Sequence, residues 1–174
     1  MSSAANTVEL VGYYGGDESH ALSAWTSTSR QLDESKSQRI GKLLHMLASA
    51  GHHTPFEKSS LHFLVNTDIA THIQILKHRI GVSVNAESAR YKELKEDKHY
   101  IPDDWPVAWQ VELEDYIKEG NRLYHECLAG LEPILGRKRA KESARFFKGY
   151  NSQITADVMF NFRSFVHFLN LRST

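Results

Sequence analysis

The 174-residue sequence has a single cysteine, Cys127, and no excess of either charge. One cysteine excludes an internal disulfide and any CxxC metal or redox motif. Lysine and arginine together number 21, and aspartate and glutamate together also number 21. The sequence therefore lacks the surplus of basic residues that a general nucleic-acid-binding protein has. No apolar run approaches the roughly 18 residues that span a bilayer, and the first residues do not resemble a secretory signal. We therefore expect a cytoplasmic protein without a membrane segment.

Common cofactor and metal motifs are also missing. Neither GxGxxG nor GxxxxGK[ST] occurs, so no Rossmann or P-loop nucleotide site is predicted. Histidine, by contrast, is abundant at 10 residues. There is no HxxxH or HExxH, and the adjacent His52 and His53 cannot both face one ion without strain. The sequence therefore predicts no metal site.

The hydrophobic pattern mixes strands and helices without a regular βαβ repeat, which favours an α+β fold in one domain over residues 1–174. The predicted strands are residues 7–14 and 60–65, with extended chain over 80–91. The predicted helices are residues 17–29, 35–51, 68–78, 107–135, 137–148 and 161–171. Residues 92–99 are expected to be a solvated loop, and residues 150–159 stay ambiguous.

Several local signals define the expected helix ends. Asp17 and Asp68 are predicted N-caps, and Ser35 with Gln38 fits a capping box. Pro133 is expected to end or kink its helix, since proline lacks the N–H that a helix interior needs.

Cys127 is predicted to be structural. Leu123 and Leu131 stand four residues before and after it, so a helix places all three on one apolar face. A free cysteine there behaves as a small hydrophobe. Any chemistry is therefore expected to proceed without a cysteine nucleophile.

Residues 77–91 combine cations with small polar residues. A helix C-terminus explains Lys77, His78 and Arg79, because cations are favoured there. It does not explain Ser88 and Arg90 on extended chain. An arginine side chain can bind a phosphate, and a serine side chain can hydrogen-bond to the edge of a pyrimidine. Two interpretations of this segment therefore stay open, a nucleotide-binding site and a solvated helix end.

The last predicted helix carries polar residues within an apolar segment, namely Asn161, Arg163, His167 and Arg172. An arginine among phenylalanines needs a partner, either an acidic residue or an anionic ligand. Arg145, on the preceding helix, is a further candidate for anion binding.

These segments together resemble a known family. Residues 77–91 resemble the signature of flavin-dependent thymidylate synthases, in which RHR is followed by seven residues and serine. Residues 52–57 resemble the HxTPFE element, residues 161–172 resemble NxRSxxNFLxLR, and Gln74 resembles a glutamine on the helix before the signature. The matching segments stand in the family's order along nearly the whole chain.

The sequence departs from the family pattern at several points. Lys77 replaces arginine, His167 replaces asparagine, and eight residues rather than seven separate Arg79 from Ser88. The chain also stops two residues after Arg172, where most members continue. These departures resemble an atypical branch that methylates UMP as well as dUMP in nucleoside-antibiotic pathways.

The resemblance implies an antiparallel sheet flanked by helices and the C5-methylation of dUMP. Methylenetetrahydrofolate supplies the carbon, NADPH reduces the FAD cofactor, and no enzyme nucleophile is needed. It also implies a homotetramer whose sites are shared between subunits, without nucleic-acid or membrane partners.

The resemblance also implies roles for individual residues. Residues matching cofactor positions are His52, Thr54, Glu57, His78, Arg79, Asn161, Arg163 and His167. Residues matching nucleotide positions are Gln74, Ser88, Arg90, Arg145 and Arg172. Ser88 and Arg172 are the expected catalytic pair, with Ser88 positioning the uracil and Arg172 favouring negative charge on a ring oxygen. His167 can tune the flavin through its protonation state.

Two alternatives stay open. The altered signature is also compatible with a non-catalytic relative that binds flavin or nucleotide. A weaker alternative is RNA or DNA binding through the basic residues 137–141, although a charged surface helix explains them more simply.

Overall fold

The computed structural model describes residues 3–173, so predictions about the two chain ends lie outside the described residues. The strands are β1 (Thr7–Tyr14), β2 (Ser60–Asp68), β3 (Val82–Ala86) and β4 (Gln153–Asn161). The α-helices are α1 (Asp17–Trp25), α2 (Glu34–Ser37), α3 (Ile40–Ser49), α4 (Ile69–Ile75), α5 (Val107–Leu135), α6 (Arg137–Ala144) and α7 (Phe162–Arg172). Short 3-10 helices span Thr54–Glu57 and Arg145–Phe147.

The strands form one four-stranded antiparallel sheet in the order β1-β2-β4-β3. This confirms the α+β fold with an antiparallel sheet and helices. No helix of the described chain is both long and apolar enough to cross a membrane.

The predicted capping of the first helices was wrong in detail. Asp17 is the first residue of α1 rather than its cap, because Gly16 occupies the cap and its N–H donates to Ser19 Oγ at 2.8 Å. In the next helical region Asp33, not Ser35, is the cap, since its carboxylate accepts the Lys36 N–H at 2.9 Å. This cap starts the short helix α2, and α3 begins separately at Ile40.

Asp68 is a cap as predicted, and the structure adds Asn161, the first residue of the last predicted helix, as a second one. Asp68 caps α4 by accepting the Thr71 N–H at 2.8 Å. Asn161 caps α7 by accepting the Ser164 N–H at 2.8 Å. A short polar side chain thus satisfies a free helical N–H at the end of β2 and again at the end of β4.

The long helix α5 is held by a buried stripe at helical spacing, formed by Ile117, Asn121, Tyr124 and Leu128. Pro133 lies inside this helix rather than ending it. The turn continues past the proline, because the Gly136 N–H donates to the Glu132 carbonyl at 3.0 Å. Gly136, with a φ of 75°, then ends the helix.

The ambiguous segment at residues 150–159 contributes most of β4. Burial alternates along it, with Ala156, Val158 and Phe160 buried and Asp157 and Met159 exposed. This alternation is typical of a strand that has one packed face.

The described residues group into two compact units. The first unit comprises residues 3–8, 65–77 and 85–156, and the second comprises residues 9–64, 78–84 and 157–173. The single domain predicted over residues 1–174 stays a prediction.

Each unit has its own packed residues. In the first unit, Tyr124 and Leu128 of α5 pack against Ala140 and Ala144 of α6. In the second unit, α1 packs against α3 and against the 3-10 helix Thr54–Glu57, with Ala21 fully buried. Of the predicted site residues, Thr54 and Glu57 lie on the 3-10 helix that these contacts hold in place.

Candidate functional site

In the second unit, the segment before β3 meets α7. Nη2 of Arg172 lies 3.4 Å from Nε2 of His78. The His78 ring also stands edge-on against Phe168, with ring centroids 4.9 Å apart. Residues from two distant motifs, the 77–91 segment and the last helix, are therefore brought together in space.

His78 is surrounded by positive charge. Burial, the Arg172 guanidinium and His167 all lower the pKa of His78. At neutral pH its imidazole is therefore uncharged, and it presents one donor and one acceptor nitrogen. A neutral imidazole beside a fixed cation suits hydrogen bonding to a polar ring system better than a second cation would.

Arg163 finds an acidic partner in the same unit. Its Nη1 donates to Oε1 of Glu57 at 2.5 Å, which ties α7 to the 3-10 helix Thr54–Glu57. Of the two partners expected for an arginine in this helix, the structure provides the acidic residue. Both side chains keep substantial exposure, so their remaining polar atoms stay accessible to a ligand.

Gly81 makes a close backbone approach to α7. The Asn161 N–H donates to the Gly81 carbonyl at 2.8 Å. A Cβ on Gly81 would lie 2.2 Å from Nδ2 of Asn161 and 2.4 Å from Oγ of Ser164, and the φ of Gly81 is +65°. Only glycine fits here, and the fit holds the Asn161 side chain in its capping position.

The remaining predicted cofactor residues are exposed side chains of the second unit: His52, Thr54, Arg79 and His167. Within residues 3–173, no ion pair or hydrogen bond engages the Arg79 guanidinium. An exposed arginine without an acidic partner is available to an anion.

The predicted nucleotide residues of the first unit come from three places. Gln74 is exposed on α4, Ser88 and Arg90 follow β3, and Arg145 follows α6. Oγ of Ser88 accepts the Arg90 N–H at 3.3 Å, which closes a tight turn. Arg145 lies over the Phe146 ring at 6.0 Å and has no acidic partner among the described residues.

The structure also reveals a buried charged network that the sequence analysis missed. Lys148, whose side chain is 4% exposed, pairs with Asp97 and donates to Oδ1 of Asn121 at 2.6 Å. Nε2 of His125 lies 2.9 Å from the same aspartate. Burial acts to raise the pKa of Asp97, but hydrogen bonds from Lys148 and His125 outweigh it and lower that pKa. Asn121 and His125 share α5 at a spacing of four residues, but nothing in the sequence links them to Asp97 or Lys148, which lie outside that helix.

A cavity of about 530 Å³ opens in the first unit beside the loop of residues 92–98. Its charged lining residues largely pair with one another: Lys92 with Glu87 at 2.6 Å, and Lys148 with Asp97. The solvated loop predicted over residues 92–99 is therefore only partly right: Lys95, Glu96 and Lys98 are exposed, but His99 is 2% exposed and ion pairs tie the segment to the rest of the unit.

The basic residues 137–141 are mostly engaged within the protein. Arg137 pairs with Glu93 at 2.6 Å and with Glu132 at 2.9 Å. Lys141 Nζ donates to the Tyr91 carbonyl at 2.7 Å. These contacts explain the basic run as a structural feature, which weakens the nucleic-acid alternative.

Cys127 packs against the α5 and α6 core beside Leu131 and is only partly exposed. This environment agrees with the predicted role as a small apolar side chain.

Comparisons with known proteins agree on one family. The family Thy1, described as thymidylate synthase complementing protein, matches residues 9–174. The flavin-dependent thymidylate synthase of Streptomyces coelicolor is 31% identical over 185 residues, covering 96% of this chain and 75% of that protein. That of Tropheryma whipplei (strain TW08/27) is also 31% identical over 185 residues, covering 97% and 76%.

Solved structures show the same fold. The crystal structure of the UMP/dUMP methylase PolB from Streptomyces cacaoi, bound with 5-Br dUMP, is similar at a TM-score of 0.79 and 26% identity. The similarity covers 95% of this chain and 77% of that one. The structure of PolB bound with 5-Br UMP has a TM-score of 0.74 at 24% identity, which supports the fold.

Proposed function

Because the chain belongs to the Thy1 family of thymidylate synthase complementing proteins, we propose that it is a flavin-dependent methyltransferase acting at C5 of uridylate. The substrate is dUMP, with UMP as a second substrate. Methylenetetrahydrofolate donates the carbon and NADPH supplies the reducing equivalents. The observation that carries the proposal is the 3.4 Å approach of Arg172 to His78, since these residues belong to two separate motifs of the family.

The residues of the second unit fit FAD, which has an anionic pyrophosphate and a flat ring system. Arg79 offers a guanidinium that no acidic side chain of residues 3–173 pairs with, and neutral His78 offers hydrogen bonds beside the Phe168 ring. The residues that would hold the cofactor are those predicted from the sequence: His52, Thr54, Glu57, His78, Arg79, Asn161, Arg163 and His167. FAD held by these residues would supply the redox and one-carbon carrier chemistry of the reaction.

The first unit supplies groups for the nucleotide. Arg90 and Arg145 bind the 5′-phosphate, for which the guanidinium fork is well suited. Gln74 and Ser88 donate hydrogen bonds to the nucleotide, and Ser88 positions the uracil rather than attacking it. Positioning of this kind can contribute several kcal/mol to lowering a barrier.

Arg172 has the most direct part in the chemistry. As C5 of uracil becomes nucleophilic, negative charge develops on a ring oxygen. A fixed guanidinium stabilises that charge without reorganising, and the lowered pKa of His78 leaves Arg172 as the cation of the pair. No protein nucleophile is required, in agreement with the packed position of Cys127.

UMP differs from dUMP by one 2′-hydroxyl. A site closed around deoxyribose would clash with that group or leave it without a hydrogen bond. We attribute acceptance of UMP to the extra residue between Arg79 and Ser88, and PolB, a UMP/dUMP methylase, is similar in structure. Measured kcat/KM values for the two nucleotides test this point, and a dUMP preference of several thousandfold, on the order of 5 kcal/mol, would contradict it.

The alternative function is a non-catalytic relative that binds flavin or nucleotide. The discriminating experiment loads the protein with FAD, reduces it with NADPH under anaerobic conditions and adds methylenetetrahydrofolate with dUMP or UMP. The proposed enzyme restores the oxidised-flavin absorbance only when nucleotide and folate are both present. Stoichiometric FAD that stays reduced with either nucleotide would favour the non-catalytic alternative.

A further inference from the structure

Arg90, which the proposed function assigns to the nucleotide phosphate, has an acidic partner within the first unit. Its Nε lies against Oε1 of Glu142 on α6. Nη1 of Arg139 approaches the other carboxylate oxygen of Glu142 at 3.3 Å. The Glu142 side chain is 17% exposed, whereas that of Arg90 is 46% exposed. Glu142 is thus held in place from two sides while Arg90 reaches outward.

We propose that Glu142 is a positioning residue, one that fixes the orientation of Arg90 for binding the 5′-phosphate of the nucleotide. The guanidinium carries N–H groups on Nε and on both terminal nitrogens. The ion pair is made through Nε, and among residues 3–173 neither terminal nitrogen of Arg90 donates a hydrogen bond, so the terminal fork, an edge that suits a phosphate, is available to a ligand. The inference rests on the proposed function, because it presupposes that Arg90 binds that phosphate.

The rest of α6 supports this role, because it holds the chain immediately after Arg90. Lys141 Nζ donates to the Tyr91 carbonyl at 2.7 Å, and Arg137 Nη2 donates to Glu93 at 2.6 Å. Arg145, the second arginine assigned to the phosphate, directly follows α6. One helix therefore anchors both arginines.

The charge state of Glu142 suits the role. Burial acts to raise the pKa of Glu142, but the hydrogen bond from Arg139 and the charge of Arg90 outweigh it and lower that pKa. The carboxylate is therefore ionised at neutral pH. An ionised carboxylate orients a guanidinium but also reduces its net attraction for phosphate. If positioning dominates, removing the Glu142 charge weakens phosphate binding; if charge neutralisation dominates, removing it strengthens phosphate binding.

The test measures nucleotide binding to the full-length, FAD-loaded protein. Dissociation constants for dUMP and for deoxyuridine, which lacks the phosphate, are determined for Arg90→Ala, Glu142→Gln and the double variant. Arg90→Ala is expected to weaken dUMP binding roughly ten- to hundredfold. Glu142→Gln is expected to weaken it by at least about threefold. Both single variants should leave deoxyuridine binding unchanged, and the double variant should bind dUMP like Arg90→Ala.

Glu132→Gln is the matched control. It removes another carboxylate that pairs with an arginine of α6, since Glu132 lies 2.9 Å from Arg137, but it does not touch Arg90. Its dUMP binding should equal that of the wild type.

Failure of the proposed function and failure of the positioning role give different results. If Arg90→Ala binds dUMP normally, the phosphate assignment itself is wrong, and the inference falls with it. A second set of results would overturn only the positioning role. In these, Arg90→Ala weakens dUMP binding, but Glu142→Gln leaves dUMP binding unchanged, tightens it, or weakens it further when combined with Arg90→Ala. Should Glu142→Gln fail to fold, Glu142→Asp keeps the charge but shortens the side chain. It should weaken dUMP binding to an intermediate degree, and unchanged binding would overturn the role.

Discussion

At the scale of single residues, the proposed C5-methylation depends most on the cation next to His78. Arg172 lies 3.4 Å from a histidine whose pKa is lowered by burial and by Arg172 itself. The pair is therefore a fixed positive charge next to a neutral ring. That arrangement serves a reaction in which negative charge develops late, because stabilisation then favours the transition state over the bound substrate.

Arg172→Ala should reduce turnover more than it weakens nucleotide binding. We expect kcat to fall roughly a hundredfold or more, while the dissociation constant for dUMP changes by less than about tenfold. Steady-state kinetics and equilibrium titration of the same preparation measure the two effects. Equal losses in both quantities would show that Arg172 merely binds the nucleotide.

A second residue-scale prediction concerns His20, which is buried against Phe56 and Phe162 and lies 2.6 Å from Ser59 Oγ. Burial lowers the pKa of His20 although Asp17 acts to raise it. The folded state therefore keeps the ring neutral while the unfolded chain takes up a proton near pH 6.5. Stability should fall as the pH drops below about that value.

Thermal unfolding between neutral and mildly acidic pH measures this effect. His20→Gln should show a shallower dependence of Tm on pH than the wild type, whereas the exposed His45→Gln should keep the wild-type slope. An unchanged slope in His20→Gln would assign the acid sensitivity to other groups, such as the buried His72.

At the scale of elements, the contact between Gly81 and the first turn of α7 is the most restrictive. Gly81→Ala requires a Cβ where Nδ2 of Asn161 stands 2.2 Å away, at a backbone φ of +65°. The side chain that must move is the cap of α7, so the substitution should cost about 1–3 kcal/mol of unfolding free energy. Urea unfolding measures the loss.

Gly41→Ala is the control for this prediction. Gly41 lies in the first turn of α3, and a Cβ there meets no atom within 4 Å. Its stability should stay within about 1 kcal/mol of the wild type or rise slightly. Equal stability of the two variants would mean that the Gly81 contact does not restrict α7.

Some helices, strands and caps could be predicted from the sequence and others could not. Local pattern predicted strand β1, the cap Asp68 and the long helix α5, because local hydrogen bonds and periodic burial determine them. The cap of α2 was assigned to Ser35 because Asp33 lies outside the predicted helix, and the break between α2 and α3 has no signal in the residues on either side of it.

The site could be predicted only in part, for a physical reason. Motifs identify residue types, but the pairing of Arg90 with Glu142 or of Lys148 with Asp97 joins residues 52 and 51 positions apart. Only the tertiary fold brings such residues together. The roles assigned to the individual site residues stay predictions.

At the scale of the whole molecule, many large apolar side chains are exposed to solvent. Tyr13 on β1 is 76% exposed and Phe146 after α6 is 80% exposed, and further apolar side chains of β1 and α5 are exposed as well. Exposed apolar surface of this extent is typical of an interaction face. The 174-residue chain is also short for enclosing FAD, nucleotide and folate alone.

The resemblance to flavin-dependent thymidylate synthases implies a homotetramer with active sites shared between subunits, and we predict that this exposed surface is used for it. Light scattering coupled to size-exclusion chromatography should give a mass about four times the 19.9 kDa of one chain. A species of one chain mass that retains full activity would contradict shared sites.

The most direct test of the proposed C5-methylation is tritium release from the uracil ring. The protein is supplied with FAD, NADPH and methylenetetrahydrofolate, and either dUMP or UMP labelled with tritium at C5 is added. Loss of that hydrogen is required for any methylation at C5. We predict release from dUMP and from UMP, and release that depends on folate. Release from dUMP alone would restrict the activity to thymidylate synthesis, and release from neither, with FAD bound, would contradict the assignment as a methyltransferase.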